Sequence, residues 1–196
     1  NHEENFDAKR KVRLYLFWFV LLALKTGLRR SNLLGTVHKP PLMWGNLDLD
    51  KGILSLPGES MKNDEPLIVP LNDELWSELK RLTASMRQPP KASAPVIAVP
   101  RGADIRKSFD SLVRRALGED RHFRIHDLRH TFLSHLGLNV PEMPMALLAG
   151  HLPETMTQMY GMHLGIENLR PWINRLPPLL AAIEGQEQPA IALDRK

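Results

Sequence analysis

The sequence predicts an α+β domain that is mostly helical and carries one small three-stranded antiparallel sheet. Segments with apolar residues at helical spacing lie on both sides of a stretch of three short extended runs joined by turns. The length of 196 residues is enough for one well-buried domain. We find no internal repeat that would indicate a repeat array.

The first predicted helix covers residues 7–25 and forms the centre of the core. Asp7 is its expected N-cap, and Gly27 its expected stop. Residues 14–24 are apolar on nearly every face, which is typical of a buried helix. This run has 11 residues, whereas a membrane-spanning helix needs roughly 20.

The extended runs are predicted to pair as consecutive antiparallel strands. They cover residues 43–49, 52–56 and 66–70. A tight turn at Asp50-Lys51-Gly52 joins the first two. Lys62 therefore falls in the loop of the second hairpin.

Helical patterns account for most of the remaining chain. The predicted helices cover residues 31–37, 73–87, 104–117, 126–138, 141–149, 155–161 and 168–184, with a strand-like piece at 95–99. Asn72 is the expected N-cap of the helix at 73–87, which has acids at its start and bases at its end. We expect one domain over residues 1–176 and a C-terminal tail over 177–196 that is mobile or docks on another molecule.

Composition and charge exclude several kinds of site. The net charge is +4 and the pI is about 9.5, a mild basic excess that does not by itself indicate nucleic-acid binding. The absence of cysteine excludes disulfides, thiolate nucleophiles and cysteine zinc sites, and fits a reducing compartment such as the cytoplasm. His126, His130 and His135 have Arg129 inside their cluster, where it would repel a metal cation. We predict neither a metal nor a cofactor.

Four motifs carry residues suited to chemistry on an anionic phosphate. They read TGLRRSNLLG (26–35), Lys62 ahead of VPL (69–71), HDLRHTF (126–132) and LAGH followed by Tyr160 (148–160). One such motif arises by chance in many helices. Together, in this order and local context, the four resemble the catalytic domain of the tyrosine recombinase, or phage integrase, family. The resemblance covers roughly residues 7–175.

The resemblance implies a role for each of six residues. Tyr160 would be the nucleophile, two arginines would grip the phosphate, a lysine would be the general acid, and two histidines would complete the site. The full set is Arg29, Lys62, His126, Arg129, His151 and Tyr160.

The residue types agree with that chemistry. A phenol has a pKa of about 10, so tyrosine needs cationic neighbours and a proton acceptor, for which His126 has a suitable pKa. Guanidiniums can bind the non-bridging oxygens bidentately and stay charged throughout. His126 and Arg129 are three residues apart on one helix face, so both can point at one phosphate.

The resemblance also implies an activity and partners. Family members cut one DNA strand through a 3′-phosphotyrosyl bond, release a 5′-hydroxyl and reseal, without ATP or a required metal. The implied partners are double-stranded DNA, three further copies in a homotetramer on paired sites, and an N-terminal DNA-clamping domain that this chain lacks. Two alternatives stay open: a type IB-like topoisomerase acting as a monomer, and a non-catalytic DNA-binding or regulatory protein that kept the fold.

The chain departs from the family pattern near the first arginine and in the lysine hairpin. Asn32 stands where an acid is usual, which bears on the support of Arg29. An insertion is predicted near residues 38–41. Asp64 and Glu65 make the lysine hairpin unusually acidic.

Overall fold

A computed structural model describes residues 2–62, 64–99, 102–150 and 165–180, with side chains from residue 14 onward. It confirms the predicted fold class, since the described chain is mostly helical with a small three-stranded antiparallel sheet. In chain order the elements are α1 (His2–Thr26), α2 (Arg30–Leu34), β1 (Leu47–Asp48), β2 (Ile53–Leu56), β3 (Leu67–Pro70), α3 (Asp73–Ser85), α4 (Ile105–Leu117), α5 (Ile125–Asn139), α6 (Glu142–Ala149) and α7 (Ile166–Ile173).

Helix α1 forms the centre of the core, as its apolar pattern predicts. Phe19 and Leu22 are fully buried, and the helix packs against α2, α3, α4 and α5. The helix begins at His2 rather than at residue 7, so Asp7 lies within it and is not its N-cap. In the described part of the chain, no helix is both long and apolar enough to span a bilayer.

The sheet has the predicted order β1-β2-β3, but its first strand is much shorter than predicted. Residues 44–46 form a 3-10 turn, because the Asn46 side chain accepts a hydrogen bond from the Met43 amide at 2.9 Å and satisfies it locally. The backbone of Met43 instead pairs with Pro95 in an isolated antiparallel bridge. The predicted strand at 95–99 is therefore reduced to this single bridge. Strands β2 and β3 pair from Ile53 opposite Pro70 to Leu56 opposite Leu67.

The helices that flank the sheet end where specific residues stop them. Helix α2 ends at Leu34, before the predicted residue 37, because Gly35 has a φ of +73° and turns the chain. The Asn72 side chain caps α3 as predicted, accepting a hydrogen bond from the Leu75 amide at 3.0 Å.

The last described helix is shorter than the sequence indicates. Helix α7 ends at Ile173 rather than at residue 184, because prolines at 177 and 178 cannot continue it. The segment after α7 is held by Lys25 of α1 and Glu74 of α3, which form an ion pair. The Lys25 ammonium donates to the Pro177 carbonyl at 2.7 Å, and the Glu74 carboxylate accepts from the amides of residues 179 and 180 at 2.8 and 2.6 Å. The boundary at residue 176 stays a prediction, and the predicted helix at 155–161 lies outside the described residues.

Candidate active site

The turn after α1 brings the first arginine motif against α5. Gly27 has a φ of +62°, and a Cβ built on it would lie 2.2 Å from Cδ1 of Phe132. The Thr26 hydroxyl donates to the Leu22 carbonyl at 2.6 Å and accepts from the Leu28 amide at 3.2 Å, which fixes the turn. Arg29 follows as the first residue before α2. Glycine is required here because no side chain fits between this turn and α5.

Arg129 lies at the centre of the site and is 6% exposed. Its Nη1 donates to the Gly27 carbonyl, and its Nη2 donates to the Ala149 carbonyl at 3.0 Å. The guanidinium thus joins the turn after α1 to the end of α6. Burial, and secondarily the charge of Arg29, lower the pKa of Arg129 to about 10. Arg129 therefore stays cationic near pH 7 and can bind an anion from a buried, oriented position.

His126 lies one helical turn before Arg129, in the first turn of α5. Its ring meets the His130 ring edge-on, with 4.7 Å between centroids. Partial desolvation lowers the pKa of His126 most, and the nearby His130 and Arg129 lower it further, while Asp127 opposes them. The lowered pKa keeps the imidazole neutral near pH 7, in the form that accepts a proton.

An open cleft connects these side chains. Five of its ten lining residues are arginines and one is an acid. The lining consists of Leu28, Arg29, Arg30, Ser31, Arg106, Asp110, Arg124, Ile125, His126 and Arg129. This concentration of guanidiniums suits a polyanionic ligand with several phosphates in a row.

The structure brings together three of the six predicted site residues: Arg29, His126 and Arg129. Lys62 lies in the β2–β3 connection as predicted and is exposed, but it is not among the residues that line the cleft. His151 and Tyr160 lie outside the described residues.

Sequence analysis did not place three of the five arginines that line the cleft among the site residues, namely Arg30, Arg106 and Arg124. Arg30 looks like an ordinary solvated residue beside Arg29, and Arg124 is one of many bases ahead of α5. Arg124 is held by Asp127, whose carboxylate accepts from the Arg124 amide at 2.7 Å. One feature of the sequence could have indicated that Arg124 belongs to the site: it lies directly before the helix that carries His126. Among the described residues, no group of three His, Cys, Asp or Glu side chains could hold a metal ion.

Asn32 supports the lysine hairpin rather than Arg29. It is 4% exposed, and its Nδ2 donates to the Ser60 carbonyl at 2.8 Å. An amide can donate a hydrogen bond to this carbonyl and a carboxylate cannot, which explains why asparagine stands here in place of the usual acid.

Comparisons with known proteins identify the family to which this geometry belongs. Residues 2–164 match the profile of the Phage integrase family. The chain is 32% identical over 128 residues to the integrase of Salmonella phage P22, covering 60% of this chain and 31% of that protein. It is also 32% identical over 156 residues to tyrosine recombinase XerC of Xylella fastidiosa strain 9a5c, covering 76% of this chain and 48% of that protein. The chain therefore spans half or less of these relatives.

Solved structures show the same fold. The chain superimposes on the integrase from mycobacterium phage Brujita with a TM-score of 0.59 and 20% identity, covering 89% of this chain and 57% of that one. It also superimposes on the Tn1549 transposon integrase, solved in complex with transposon right end DNA, with a TM-score of 0.50 and 18% identity, covering 80% of this chain and 57% of that one.

Proposed function

Since this chain belongs to the phage integrase family, we propose that it is the catalytic domain of a site-specific DNA recombinase, which cuts and rejoins DNA strands through a 3′-phosphotyrosyl bond. The observation that carries the proposal is the buried guanidinium of Arg129, held between the Gly27 and Ala149 carbonyls beside Arg29 and His126. A guanidinium held this firmly at an open basic cleft fits a group that binds a reacting phosphate.

The two arginines stabilise the transition state of phosphoryl transfer. As the tyrosine oxygen attacks, negative charge grows on the two non-bridging oxygens of the phosphodiester. Arg29 and Arg129 donate hydrogen bonds to those oxygens, and the Gly27 and Ala149 carbonyls set the orientation of Arg129 before DNA binds. The loss of one preorganised donor of this kind typically costs about 10²–10³ in rate.

Proton transfers accompany the bond changes at phosphorus. The Tyr160 oxygen forms the new bond to phosphorus and passes its proton to His126, while the bond from phosphorus to the 5′ oxygen breaks. Lys62 gives its proton to that 5′ oxygen, and His151 donates a hydrogen bond to the phosphate. Rejoining runs the same steps backwards, with a 5′-hydroxyl as nucleophile. Each positioned proton transfer contributes roughly 10²–10⁴ in rate.

Double-stranded DNA is the proposed partner. The five arginines of the cleft support it, and so does the Tn1549 integrase, a protein of the same fold that was solved with DNA. Binding through phosphates releases counterions, so affinity should fall steeply with salt. The proposal extends to a homotetramer on paired sites, to a DNA-clamping domain outside this chain, to contacts between copies through residues 177–196, and to a location in the cytoplasm.

A covalent-adduct assay tests the proposed reaction. DNA covalently trapped on the protein is sequenced first, which identifies the target. The purified protein is then mixed with a nicked version of that target, on which the cut strand diffuses away and the adduct accumulates. Tyr160→Phe should abolish the adduct while DNA binding persists.

Tyr15→Phe is the matched control, because the chain has only two tyrosines. Tyr15 is buried in the core, and its hydroxyl has no hydrogen-bond partner within the described part of the chain. Its loss should leave the adduct unchanged. Failure of the unaltered protein to form an adduct on any DNA that it binds would contradict the enzymatic proposal and favour a protein that only binds DNA.

A further inference from the structure

Two side chains from the segment after Arg29 hold the backbone that leads into Lys62. Asn32 donates to the Ser60 carbonyl at 2.8 Å, and Lys39 donates through its Nζ to the Met61 carbonyl at 2.5 Å. These carbonyls belong to the two residues directly before Lys62. The proposed general acid therefore extends from a backbone that is fixed on one side.

Lys39 is presented by a loop that has its own internal constraints. The Thr36 amide donates to the Lys39 carbonyl at 2.8 Å, and the Thr36 hydroxyl accepts from the Lys39 amide at 3.1 Å. At the end of α2, a Cβ on Gly35 would lie 2.8 Å from the Pro41 nitrogen. This loop is the predicted insertion near 38–41. Because these contacts lie within the loop, the position of Lys39 does not depend on the lysine hairpin that it holds.

Met61 connects the same backbone to the phosphate-binding centre. The residue is buried, and its Cε lies 3.6 Å from the position that a Cβ on Gly150 would occupy. Gly150 directly follows Ala149, whose carbonyl accepts from Arg129. The Lys39 ammonium thus fixes one end of the lysine loop relative to the arginine that binds the phosphate.

We propose that Lys39 is a positioning residue for Lys62: its ammonium holds the Met61 carbonyl and so sets the place from which Lys62 reaches the departing 5′ oxygen. This inference rests on the proposed function. In this role Lys39 acts only through the Met61 backbone. Because a displacement of about 1 Å in a reacting group can cost up to 10²-fold, we expect Lys39→Met to slow strand cutting by about 10–100-fold.

A DNA substrate with sulfur in place of the bridging 5′ oxygen tests this role directly. A thiol has a pKa of about 8.5, so sulfur leaves as a thiolate and needs no proton from a general acid. Lys39→Met and Lys62→Ala should both be slow on ordinary DNA and close to the unaltered protein on the sulfur substrate. Arg129→Lys should stay slow on both, because its defect lies at the non-bridging oxygens. Lys39→Arg, which keeps a cationic donor, should retain most of the activity.

The controls separate positioning from folding and from charge. Lys91→Met removes an exposed lysine outside the cleft and should change neither rate. Thermal unfolding and DNA affinity of Lys39→Met should match those of the unaltered protein. The double variant Lys39→Met/Lys62→Ala should be no slower than Lys62→Ala alone, because both changes remove the same proton transfer.

Three outcomes would overturn the positioning role. They are a normal rate for Lys39→Met on ordinary DNA, an equal defect on both substrates, and a double variant slower than Lys62→Ala, which would make Lys39 an independent participant. Failure of the proposed function looks different, because the unaltered protein would then form no adduct on either substrate.

Discussion

Replacing Gly27 by alanine tests the close approach on which the arginine site is built. At a φ of +62°, alanine pays a backbone penalty of about 1–2 kcal/mol. Its Cβ would also lie 2.2 Å from Cδ1 and 2.5 Å from Cε1 of the fully buried Phe132. Forcing an extra methyl group into packed surroundings costs about 1–3 kcal/mol more.

The expected loss of unfolding free energy for Gly27→Ala is therefore about 2–5 kcal/mol. For a chain of this size, that lowers the melting temperature by about 4–20 °C. Urea unfolding followed by circular dichroism measures the free energy, and calorimetry measures the melting temperature. The cutting rate should also fall, because the Gly27 carbonyl is an acceptor for Arg129.

Gly102→Ala is the matched control for this clash. Gly102 has a φ of +76°, and no described heavy atom lies within 4 Å of the position that its Cβ would take. It should therefore show only the backbone penalty of about 1–2 kcal/mol. If Gly27→Ala and Gly102→Ala destabilise the protein equally, the packing of the turn against α5 is wrong, and with it our explanation of how Arg29 and Arg129 are aligned.

The remaining predictions concern charged groups. Arg129→Lys should reduce adduct formation by about 10²–10³, measured on the nicked substrate, since an ammonium lacks the planar fork of five donors with which a guanidinium binds both carbonyls and a phosphate. The rate of cutting should fall as His126 becomes protonated, and because its pKa is lowered from 6.5 this loss should lie below pH 6.5. His130→Gln removes a neighbouring charge that lowers this pKa, so the acid limb of the pH–rate profile should move to higher pH. Lys25→Met should cost about 3–5 kcal/mol in urea unfolding, because it leaves the partly buried Glu74 carboxylate without its cation. Burial raises the pKa of Glu74, but hydrogen bonds from Lys25 and from two backbone amides lower that pKa by more, so it lies below its usual value of 4.5. The stabilisation that Glu74 provides is therefore present above pH 4.5 and is lost as the pH falls below 4.5.

Local signals in the sequence were enough to predict much of the fold. The Asn72 cap, the order of the strands and the buried first helix depend on neighbouring residues and on apolar spacing. The grouping of Arg29 with Arg129 also followed from the motifs, because the resemblance supplies the long-range contact that spacing alone does not.

The features that the sequence did not predict depend on contacts between distant segments, or on side chains that take the place of backbone hydrogen-bond partners. Asn46 satisfies the Met43 amide and shortens β1, although the run has the composition of a strand. Lys25 reads as an ordinary basic residue at the end of a helix, yet it is 1% exposed because Glu74 and the Pro177 carbonyl meet its ammonium. Arg124 lines the same cleft as Arg106 and Asp110 of α4, which lie at least 14 residues before it along the chain.

The two carbonyls that Arg129 binds lie 102 and 20 residues away from it along the chain. A nascent or partly unfolded polypeptide has neither acceptor in place, and its guanidinium is then just another mobile cation. The proposed strand cutting therefore requires completed tertiary structure. Under that proposal, immature or damaged copies bind nucleic acid loosely and do not cut it.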